Sequence, residues 1–319
     1  MGTEEWEPVA GEHEPVMVRE VLEYLACALG QVVADLTVGS GGHAAAILEC
    51  ISPGGWLIGI DRDPEAIERA RKRLADFERV TLIHENHGRL EEVLDTLGVE
   101  AVDGVLIDCG ASMNQLTTGR RGFSFRFDAP LDMRMNPEDP VTAEDLANRL
   151  PEEELAKILW EYGGERRARK IAQTITEKRQ QHRITTTAQL AAIVTAAIPA
   201  RAQPRRLHAA TKSFMALRIA VNDELGALRS ALDAAINRTK HHGRIVVLTY
   251  QSLEGGATKG AFRRAASHST RLCPPFPSEE AQEEPRVRIL TKKVVKPSPE
   301  EMERNPRSRS ATLRSVELL

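Results

Sequence analysis

The chain has 319 residues, 28% of them charged, and a formal net charge of −3 at pH 7, which are ordinary values for a globular protein. The near-neutral charge excludes a protein that binds a polyanion through its overall charge, so any nucleic-acid surface must be local. Four cysteines without a C-x-x-C pair argue against a disulfide framework or a zinc site, and no motif calls for a metal.

The sequence predicts neither a leader nor a membrane segment. Residues 1–12 are rich in glutamate and predict a disordered acidic arm, whereas a secretory or mitochondrial leader would be basic. No apolar run approaches the roughly 18 residues of a membrane span. We therefore expect a cytoplasmic protein.

Short apolar strands alternate with helical patterns through the first third of the chain. We predict helices near 16–29, 43–51, 64–76 and 88–97, and strands over 32–36, 56–61, 79–84 and 102–108. Such alternation is typical of a parallel sheet with helices on both faces. The predicted fold class is therefore α/β.

The alternation stops after Asp108. Residues 110–140 are rich in Gly, Arg, Phe and Asp and are predicted to form an ordered loop, whereas residues 142–198 show only helical periodicity. Thr186 and Gln189 have the spacing of a capping box at the start of a helix. This pattern indicates a helical domain inserted into the α/β core.

The third part of the chain returns to the core. A long helix is predicted over 210–238, ended by Gly243. A strand over 244–250, a short helix near 257–267, a Pro/Ser/Glu loop over 268–285 and strands near 287–293 and 311–317 follow. We divide the chain into a discontinuous core, 13–138 and 206–319, and an inserted all-helical domain, 139–205.

Basic residues cluster in two stretches. Residues 201–218 contain five bases and no acid, and residues 286–314 contain nine bases against three acids. Either stretch alone could be a solvated face. Two such stretches on a near-neutral protein favour a groove that faces phosphates.

A glycine-rich turn lies between the first strand and the next helix, where residues 35–43 read Asp-Leu-Thr-Val-Gly-Ser-Gly-Gly-His. Backbone N–H groups of such a turn can approach an adenosine cofactor, and Asp61, at the end of the second strand, can bind ribose hydroxyls. A tight turn without a ligand is the alternative. The turn does not separate NAD from S-adenosylmethionine, because Gly39-x-Gly41-x-x-Ala44 fits the dinucleotide pattern, but no hydride-transfer constellation supports an oxidoreductase.

The fourth strand ends in Asp108-Cys-Gly-Ala-Ser112. Ligands of open α/β sheets lie beyond the carboxyl ends of strands, so Asp108 and Ser112 are candidates for the reacting groups. A buried salt bridge or a loop cap is the alternative for Asp108. We predict that Cys109 packs rather than acts as a nucleophile, because an adjoining carboxylate raises a thiol pKa.

The run from Arg120 to Met135 combines three phenylalanines with several arginines. These residues could stack on bases and neutralise phosphates. The alternative is a packed loop in which Arg126 or Arg134 pairs with Asp128 or Asp132. The sequence alone does not decide between the two.

Six blocks in order resemble one family. They are Gly-Ser-Gly41-Gly42-His43, Asp61-Arg-Asp-Pro64, Arg121-Gly-Phe-Ser-Phe-Arg126, Pro130-Leu-Asp-Met-Arg-Met135, Ala216-Leu-Arg-Ile-Ala-Val-Asn-Asp-Glu-Leu225 and Asn305-Pro-Arg-Ser-Arg-Ser-Ala311. Over 13–314 the chain resembles the RsmH/MraW-type methyltransferases. The resemblance implies a Rossmann-like class I sheet and methyl transfer from S-adenosylmethionine to N4 of a cytidine in the decoding region of 16S rRNA, in the small ribosomal subunit. A homodimer is left open.

The resemblance and the strand-end argument together nominate three sets of site residues. The expected cofactor-binding residues are Gly41, Gly42, His43, Asp61, His87, Asp108 and Gln115. The expected catalytic residues are Asp108 and Ser112. The expected RNA-contacting residues are Arg126, Arg134, Asn222, Ser252 and Arg307.

Several positions depart from the family pattern. His87 stands where the family has an aromatic residue, and Met113 replaces the second of two paired serines. The family's Ser-Phe-His-Ser-Leu-Glu-Asp is here Thr249-Tyr-Gln-Ser-Leu-Glu-Gly255, and its Asp-Gly-Thr-Phe is Asp35-Leu-Thr-Val. These changes motivate an alternative from another class, a catalytically impaired rRNA-binding ribosome-assembly factor that keeps the fold.

Overall fold

The computed structural model describes residues 15–199, 208–267, 269–270 and 282–319. The chain divides into two units, one formed by Met1–Gly110 and Leu225–Leu319 and the other by Ala111–Glu224. We call them the sheet unit and the helical unit. The proposed insert, 139–205, lies within the helical unit. The predicted acidic arm, the start of the first basic stretch and most of the loop over 268–285 lie outside the described residues.

The secondary-structure elements are numbered in chain order. The strands are β1 (Val32–Asp35), β2 (Trp56–Asp61), β3 (Val80–His84), β4 (Val102–Asp108), β5 (Thr239–Thr249), β6 (Ser269–Thr270), β7 (Gln282–Glu283), β8 (Val287–Ile289) and β9 (Thr312–Leu318). The helices are α1 (Val18–Leu25), α2 (Gly42–Ile51), α3 (Pro64–Arg73), α4 (Leu90–Thr96), α5 (Met113–Thr117), α6 (Ala143–Arg149), α7 (Glu152–Glu161), α8 (Ala168–Gln181), α9 (Thr187–Ala197), α10 (Thr211–Asn222), α11 (Glu224–Arg238), α12 (Ser252–Ala266) and α13 (Pro299–Arg304).

The sheet unit is built on a seven-stranded sheet in the order β3-β2-β1-β4-β5-β9-β8. The first five strands are parallel, whereas β9 pairs antiparallel with both β5 and β8. Because β1 pairs with β2 on one side and β4 on the other, the strand order reverses there, and a crevice opens at the carboxyl ends of these strands. The predicted Rossmann-like fold is confirmed.

The central strands of this sheet are apolar along nearly their whole length. Ile58 and Ile60 of β2 and Val105 and Ile107 of β4 are fully buried in one core cluster with helices α4 and α11. Strands covered on both faces need such continuous apolar runs instead of an alternation. The core thereby fixes the strand ends that carry the polar groups of the site.

The helical unit has a core of its own. On α8, Ala168, Ile171, Ala172 and Ile175 are buried, as their spacing predicted, and they pack with residues of α7 and α9. The predicted capping box is confirmed, because the Gln189 backbone N–H donates to the Thr186 hydroxyl oxygen at 3.3 Å. The helical prediction for 142–198 therefore holds for α6 to α9.

The long helix predicted over 210–238 is wrong, because it is two helices. Asp223 separates α10 from α11 in the left-handed conformation, with φ 44° and ψ 44°. The Arg218 guanidinium donates to both carboxylate oxygens of Glu224, at 2.7 and 2.8 Å, across this break. A single left-handed residue leaves the apolar periodicity almost intact, so the sequence pattern did not reveal it.

The role predicted for Gly243 is also wrong. The helix already ends at Arg238, and Gly243 lies inside β5. A Cβ at this position would approach the Asp103 carbonyl oxygen to 2.7 Å, so the glycine permits β5 to lie close to β4. The close approach of the two strands, rather than the end of a helix, explains why position 243 is a glycine.

Four further elements differ from the prediction. The loop over 110–140 contains α5 and a 3-10 turn at Gly119–Arg121. Helix α12 begins at Ser252 rather than near 257, because Glu254 caps it by accepting the backbone N–H groups of Tyr250 and Gln251, at 2.8 and 3.1 Å. Helix α13, which the sequence reading missed, is capped by Ser298.

Within the described ranges, no helix is both long and apolar enough to cross a membrane. The same residues contain no group of three or more His, Cys, Asp or Glu side chains that could hold a metal ion.

Candidate active site

The glycine turn after β1 is shaped by two left-handed glycines. Gly39 has φ 55° and Gly41 has φ 82°, and Gly41 is the N-cap of α2. A Cβ at Gly41 would lie 3.4 Å from atoms of Ala70, Arg73 and Leu74, so the turn also packs tightly against α3. The first N–H groups of α2 point out of the helix start, which is a favourable place for an anionic group.

Asp61 ties this turn to the end of β2. One carboxylate oxygen, Oδ2, accepts the Gly39 N–H at 2.9 Å, and the other, Oδ1, accepts the Asp63 N–H at 2.9 Å. Burial raises the pKa of Asp61 to about 6, although these two hydrogen bonds oppose the rise. Each oxygen keeps a second lone pair, so the carboxylate can still accept hydroxyl donors.

Asp35, at the end of β1, holds a buried oxygen without a hydrogen-bond partner among the described residues, close to Asp61 and Asp108. The side chain is 1% exposed, and its Oδ1 accepts the Thr37 N–H at 3.1 Å. Its Oδ2 is buried and has no hydrogen-bond partner among the described residues. Burial, with smaller contributions from Asp108 and Asp61, raises the pKa of Asp35 to about 7. The sequence reading did not nominate this residue, although an acid directly before the glycine turn was a usable signal.

The raised pKa of Asp35 gives a pH-dependent stability. The folded protein holds a proton on this carboxyl up to about pH 7, whereas the unfolded chain releases it near the ordinary value of 3.8. The folded state therefore binds more protons in that range, and the stability of the cofactor-free protein falls as pH rises through it. Asp35→Asn should flatten this loss, measured as thermal unfolding temperatures at about pH 5 and about pH 8. An unchanged difference between the two pH values would contradict this assignment.

Asp108 is the centre of a group of three side chains at the end of β4. Its Oδ1 accepts the Tyr250 hydroxyl at 2.9 Å, and its Oδ2 lies 3.8 Å from His43 Nδ1. His43 Nε2 lies 2.8 Å from the Val16 carbonyl oxygen, which can only accept, so Nε2 carries a hydrogen. Burial raises the pKa of Asp108, and His43 and Tyr250 oppose the rise. The carboxylate is thus oriented from two sides while its side chain stays 24% exposed.

Tyr250 was missed as a site residue by the sequence reading. It follows β5 and lies 142 positions after Asp108, so only the fold brings the two together. Burial and the neighbouring Asp108 charge raise the pKa of Tyr250 well above its usual value, which keeps the hydroxyl protonated as a donor. Tyr250 therefore acts as a positioning residue for the Asp108 carboxylate.

Removing the Tyr250 hydroxyl should shift the pH dependence of the reaction. Its hydrogen bond stabilises ionised Asp108, so Tyr250→Phe should raise the pKa of Asp108 and move the acid limb of the pH–rate profile to higher pH. We expect a loss of about threefold to tenfold in rate, since one such hydrogen bond contributes about 1 kcal/mol. Tyr24→Phe in the same unit is the control. A lower rate with an unmoved acid limb would reduce Tyr250 to a structural role.

His87 lies in a 3-10 turn, His87–Arg89, which follows β3. Desolvation, with a smaller contribution from the Arg62 charge, lowers the pKa of His87 to about 4. The imidazole is therefore neutral at pH 7. A neutral flat ring is suited to lie against a purine base.

Ser112 and Gln115 lie in the helical unit, where they cap α5 reciprocally. The Gln115 N–H donates to the Ser112 hydroxyl oxygen at 3.3 Å, and the Ser112 N–H donates to Gln115 Oε1 at 3.0 Å. Gln115 is buried, with 4% of its surface exposed. Both side chains therefore have a capping role that the sequence reading did not foresee.

Asn222 is not available for the RNA contact predicted from the sequence. It is 1% exposed, its Oδ1 accepts the Met135 N–H at 2.7 Å, and its amide donates to the Met133 carbonyl at 2.8 Å. The side chain fixes the backbone of the loop from inside the helical unit. The amide is therefore used in holding this loop rather than presented at the surface, where an RNA contact would need it.

The Arg/Phe loop matches the packed alternative more closely than the stacking one. Arg134 forms a two-pronged pair with Asp132, at 2.8 Å for Nε–Oδ1 and 2.7 Å for Nη2–Oδ2. Phe123 is buried, and the Phe125 ring stacks on His208 with 4.5 Å between centroids. Arg126 keeps an exposed side chain.

The remaining nominated residues lie in the sheet unit. Ser252 opens α12 and Arg307 lies in the 3-10 turn Pro306–Ser310, and both side chains are exposed. Cys109 packs against the sheet core, as predicted.

Comparisons with known proteins give one consistent result. The profile described as the MraW methylase family matches residues 10–319. A protein of Geobacter sulfurreducens named Ribosomal RNA small subunit methyltransferase H is 50% identical over 309 residues, covering 96% of this chain and 99% of that protein. The protein of the same name from Geotalea uraniireducens is 48% identical over 307 residues, covering 96% of this chain and 98% of that protein.

Proposed function

The chain belongs to the MraW methylase family and is an S-adenosylmethionine-dependent methyltransferase; on this premise we propose that it methylates the exocyclic N4 of a cytidine in the decoding region of 16S rRNA. The names of its relatives support a small-subunit rRNA substrate. The observation that carries the proposal is the Asp108 carboxylate, which is held by Tyr250 beside the glycine turn at the end of β4. This carboxylate can accept a hydrogen bond from an amine, and it lies at the carboxyl ends of the strands, where open α/β sheets bind their ligands.

The residues at the strand ends fit S-adenosylmethionine, because each group of this cofactor has a residue suited to bind it. The start of α2 after Gly41 and Gly42 suits the methionine carboxylate, and Asp61 retains acceptor capacity for ribose hydroxyls. The unpartnered Asp35 Oδ2 suits a cationic donor such as the methionine ammonium. His87 offers a neutral ring for adenine, and His43 lies at the same helix start.

When bound, the cofactor supplies an activated methyl group on a sulfonium. The residues of the chain then have to position the cytosine amine, a poor nucleophile whose lone pair is delocalised into the ring. Asp108 Oδ2, the oxygen that Tyr250 leaves free, accepts a hydrogen bond from N4 and afterwards takes its proton. Its raised pKa makes this carboxylate a stronger base than an exposed aspartate. Ser112 is a second candidate acceptor.

The RNA has to present an unstacked cytidine, which costs less in a loop or junction than in a duplex. Arg126, Ser252 and Arg307 have exposed side chains for contacts with the RNA. Arg134 is already paired with Asp132, so its contribution is to order the loop that carries it. Gln115, as the partner of Ser112, supports the start of α5. The cytoplasm remains the expected location, and a homodimer remains open.

The proposal is tested by methyl transfer from labelled cofactor. Small subunits from a strain that lacks the modification should be labelled, whereas fully modified small subunits and large subunits should not. Small subunits that bind the protein but stay unlabelled would favour the catalytically impaired assembly factor instead. Label on large subunits alone would contradict the assigned substrate.

A further inference from the structure

A cavity of about 350 Å³ lies in the sheet unit between the start of α12 and the start of β9. Its walls include Ser252 and Lys259 of α12 and Thr312 and Arg314 of β9. A volume of this size lies at the lower end of the range for small-ligand sites. The cavity is therefore large enough for a phosphate and part of its sugar.

The walls of this cavity carry positive charge and no carboxylate. Lys259 and Arg314 both contribute to the lining, and neither forms an ion pair within the part of the chain that the structure describes. Arg314 Nε is buried without a hydrogen-bond partner. Partial desolvation and then the charge of Arg263 lower the pKa of Arg314, so a third cation lies nearby. An anionic oxygen would accept a hydrogen bond from the Arg314 guanidinium and would also neutralise part of the positive charge.

The acid nearest in sequence does not compensate these cations. Glu254 is 4% exposed and its Oε2 accepts the N–H groups of Tyr250 and Gln251, so its carboxylate is turned to the backbone. Gly255 and Gly256 follow it and line the cavity without adding a side chain. Ser252 adds an exposed hydroxyl at the helix start. The cavity is thus open and electropositive.

Tyr250 connects this cavity to the candidate active site. The tyrosine lines the cavity, and its hydroxyl donates to Asp108 Oδ1 at 2.9 Å. A group bound in the cavity is therefore one side chain away from the carboxylate to which we assign the N4 amine. A separation of one side chain suits a part of the substrate that lies next to the reacting base.

We infer that this cavity binds a phosphate group of the substrate RNA next to the target cytidine, with Lys259 and Arg314 as its cationic partners. The inference rests on the proposed function for the identity of the RNA. It assigns Arg314, the last base of the second basic stretch, and Lys259, which lies outside both stretches, to one phosphate site.

The test uses charge changes with size-matched controls. No atom lies within 4 Å of a Cβ built at Gly256, so Gly256→Asp places a carboxylate in the cavity and Gly256→Asn places a neutral side chain of the same size there. Lys259→Gln removes a charge from an exposed helix position, and Lys72→Gln removes one from an exposed position on α3. All three positions are on the surface, so the four variants should fold.

Binding of a short single-stranded oligoribonucleotide containing cytidine is measured with S-adenosylhomocysteine present, over a series of salt concentrations. Gly256→Asp and Lys259→Gln should each weaken binding by about fivefold or more, and Lys259→Gln should lower the slope of log affinity against log salt by about one. Gly256→Asn adds the same volume without the charge and should weaken binding much less than Gly256→Asp, whereas Lys72→Gln should bind like the unchanged protein. Affinity for S-adenosylhomocysteine should be the same in all five proteins.

Unchanged RNA affinity and salt slope in both Gly256→Asp and Lys259→Gln would overturn the phosphate site, even if methyl transfer to small subunits is observed. Cytidine monophosphate serves as a second probe. If it alone binds as tightly as the oligoribonucleotide and loses affinity in Lys259→Gln, the cavity is a mononucleotide site and the RNA-backbone assignment is wrong. If the charge variants behave as expected but small subunits are never methylated, the proposed function fails and the phosphate site stands.

Discussion

Replacing Asp108 with asparagine is expected to lower the single-turnover rate of methyl transfer to small subunits by at least about 100-fold. Asparagine keeps the size of the side chain and can still accept the Tyr250 hydroxyl. In that orientation its amide nitrogen replaces Oδ2, so a donor faces the N4 amine and the base is lost. Binding of the cofactor, followed by calorimetry, should change much less than the rate.

The matched control for this variant is Asp95→Asn, because the Asp95 side chain is 67% exposed and pairs with Arg238 at the surface of the same unit. Its rate should equal that of the unchanged protein. Equal labelling of small subunits by Asp108→Asn and the unchanged protein would remove Asp108 from the reaction.

The second large effect is expected on cofactor affinity. Asp61→Ala should raise the Kd for S-adenosylmethionine by at least about 100-fold, since hydrogen bonds to a charged group contribute roughly 1.5–3 kcal/mol each and two ribose hydroxyls lose their acceptor. The variant also releases the Gly39 N–H, and with it the turn. Calorimetric titration measures the change directly.

The pKa of about 6 for Asp61 adds a pH dependence to this affinity. Our proposal assigns the ribose hydroxyls to the ionised carboxylate, so affinity should weaken as pH falls through that value. Asp95→Ala is the control for loss of a carboxylate. A Kd for Asp61→Ala within twofold of the unchanged protein would show that the ribose is held elsewhere.

Three buried acids, Asp35, Asp61 and Asp108, have raised pKa values in one crevice. Their burial disfavours the charged forms, so the stability of the cofactor-free protein falls as pH rises from the ordinary aspartate pKa through the raised pKa of each. A ligand that supplies a cation and hydroxyl donors relieves this penalty. We therefore propose that the same residues that reduce the stability of the free protein strengthen binding of the cofactor.

The sequence predicted the strand ends that carry the candidate site residues. Strands β1 to β4 were located within a residue or two because buried parallel strands have continuous apolar runs with turn residues between them. Asp61 and Asp108 followed from their positions at the ends of two of these strands. These inferences need only the local pattern and the geometry common to open α/β sheets.

The parts that were missed depend on contacts between distant residues. The hydrogen bond from Tyr250 to Asp108 and the unpartnered oxygen of Asp35 are set by the packing of β1, β4 and β5. Asn222 looked like a polar residue available for RNA because its burial depends on the loop around Met133. The break between α10 and α11 comes from the left-handed conformation of one residue, Asp223, and the apolar pattern of the sequence continues through it.

The central claim is that this chain methylates N4 of one cytidine in 16S rRNA, and a nucleoside map of rRNA tests it most directly. Mass spectrometry of 16S rRNA from cells with and without the protein should show N4-methylation at one decoding-region cytidine only when the protein is present. The unchanged protein should restore the modification to a strain that lacks it, and Asp108→Asn should not. Identical maps with and without the protein, or a lost methyl group on another base or on the large-subunit rRNA, would contradict the account.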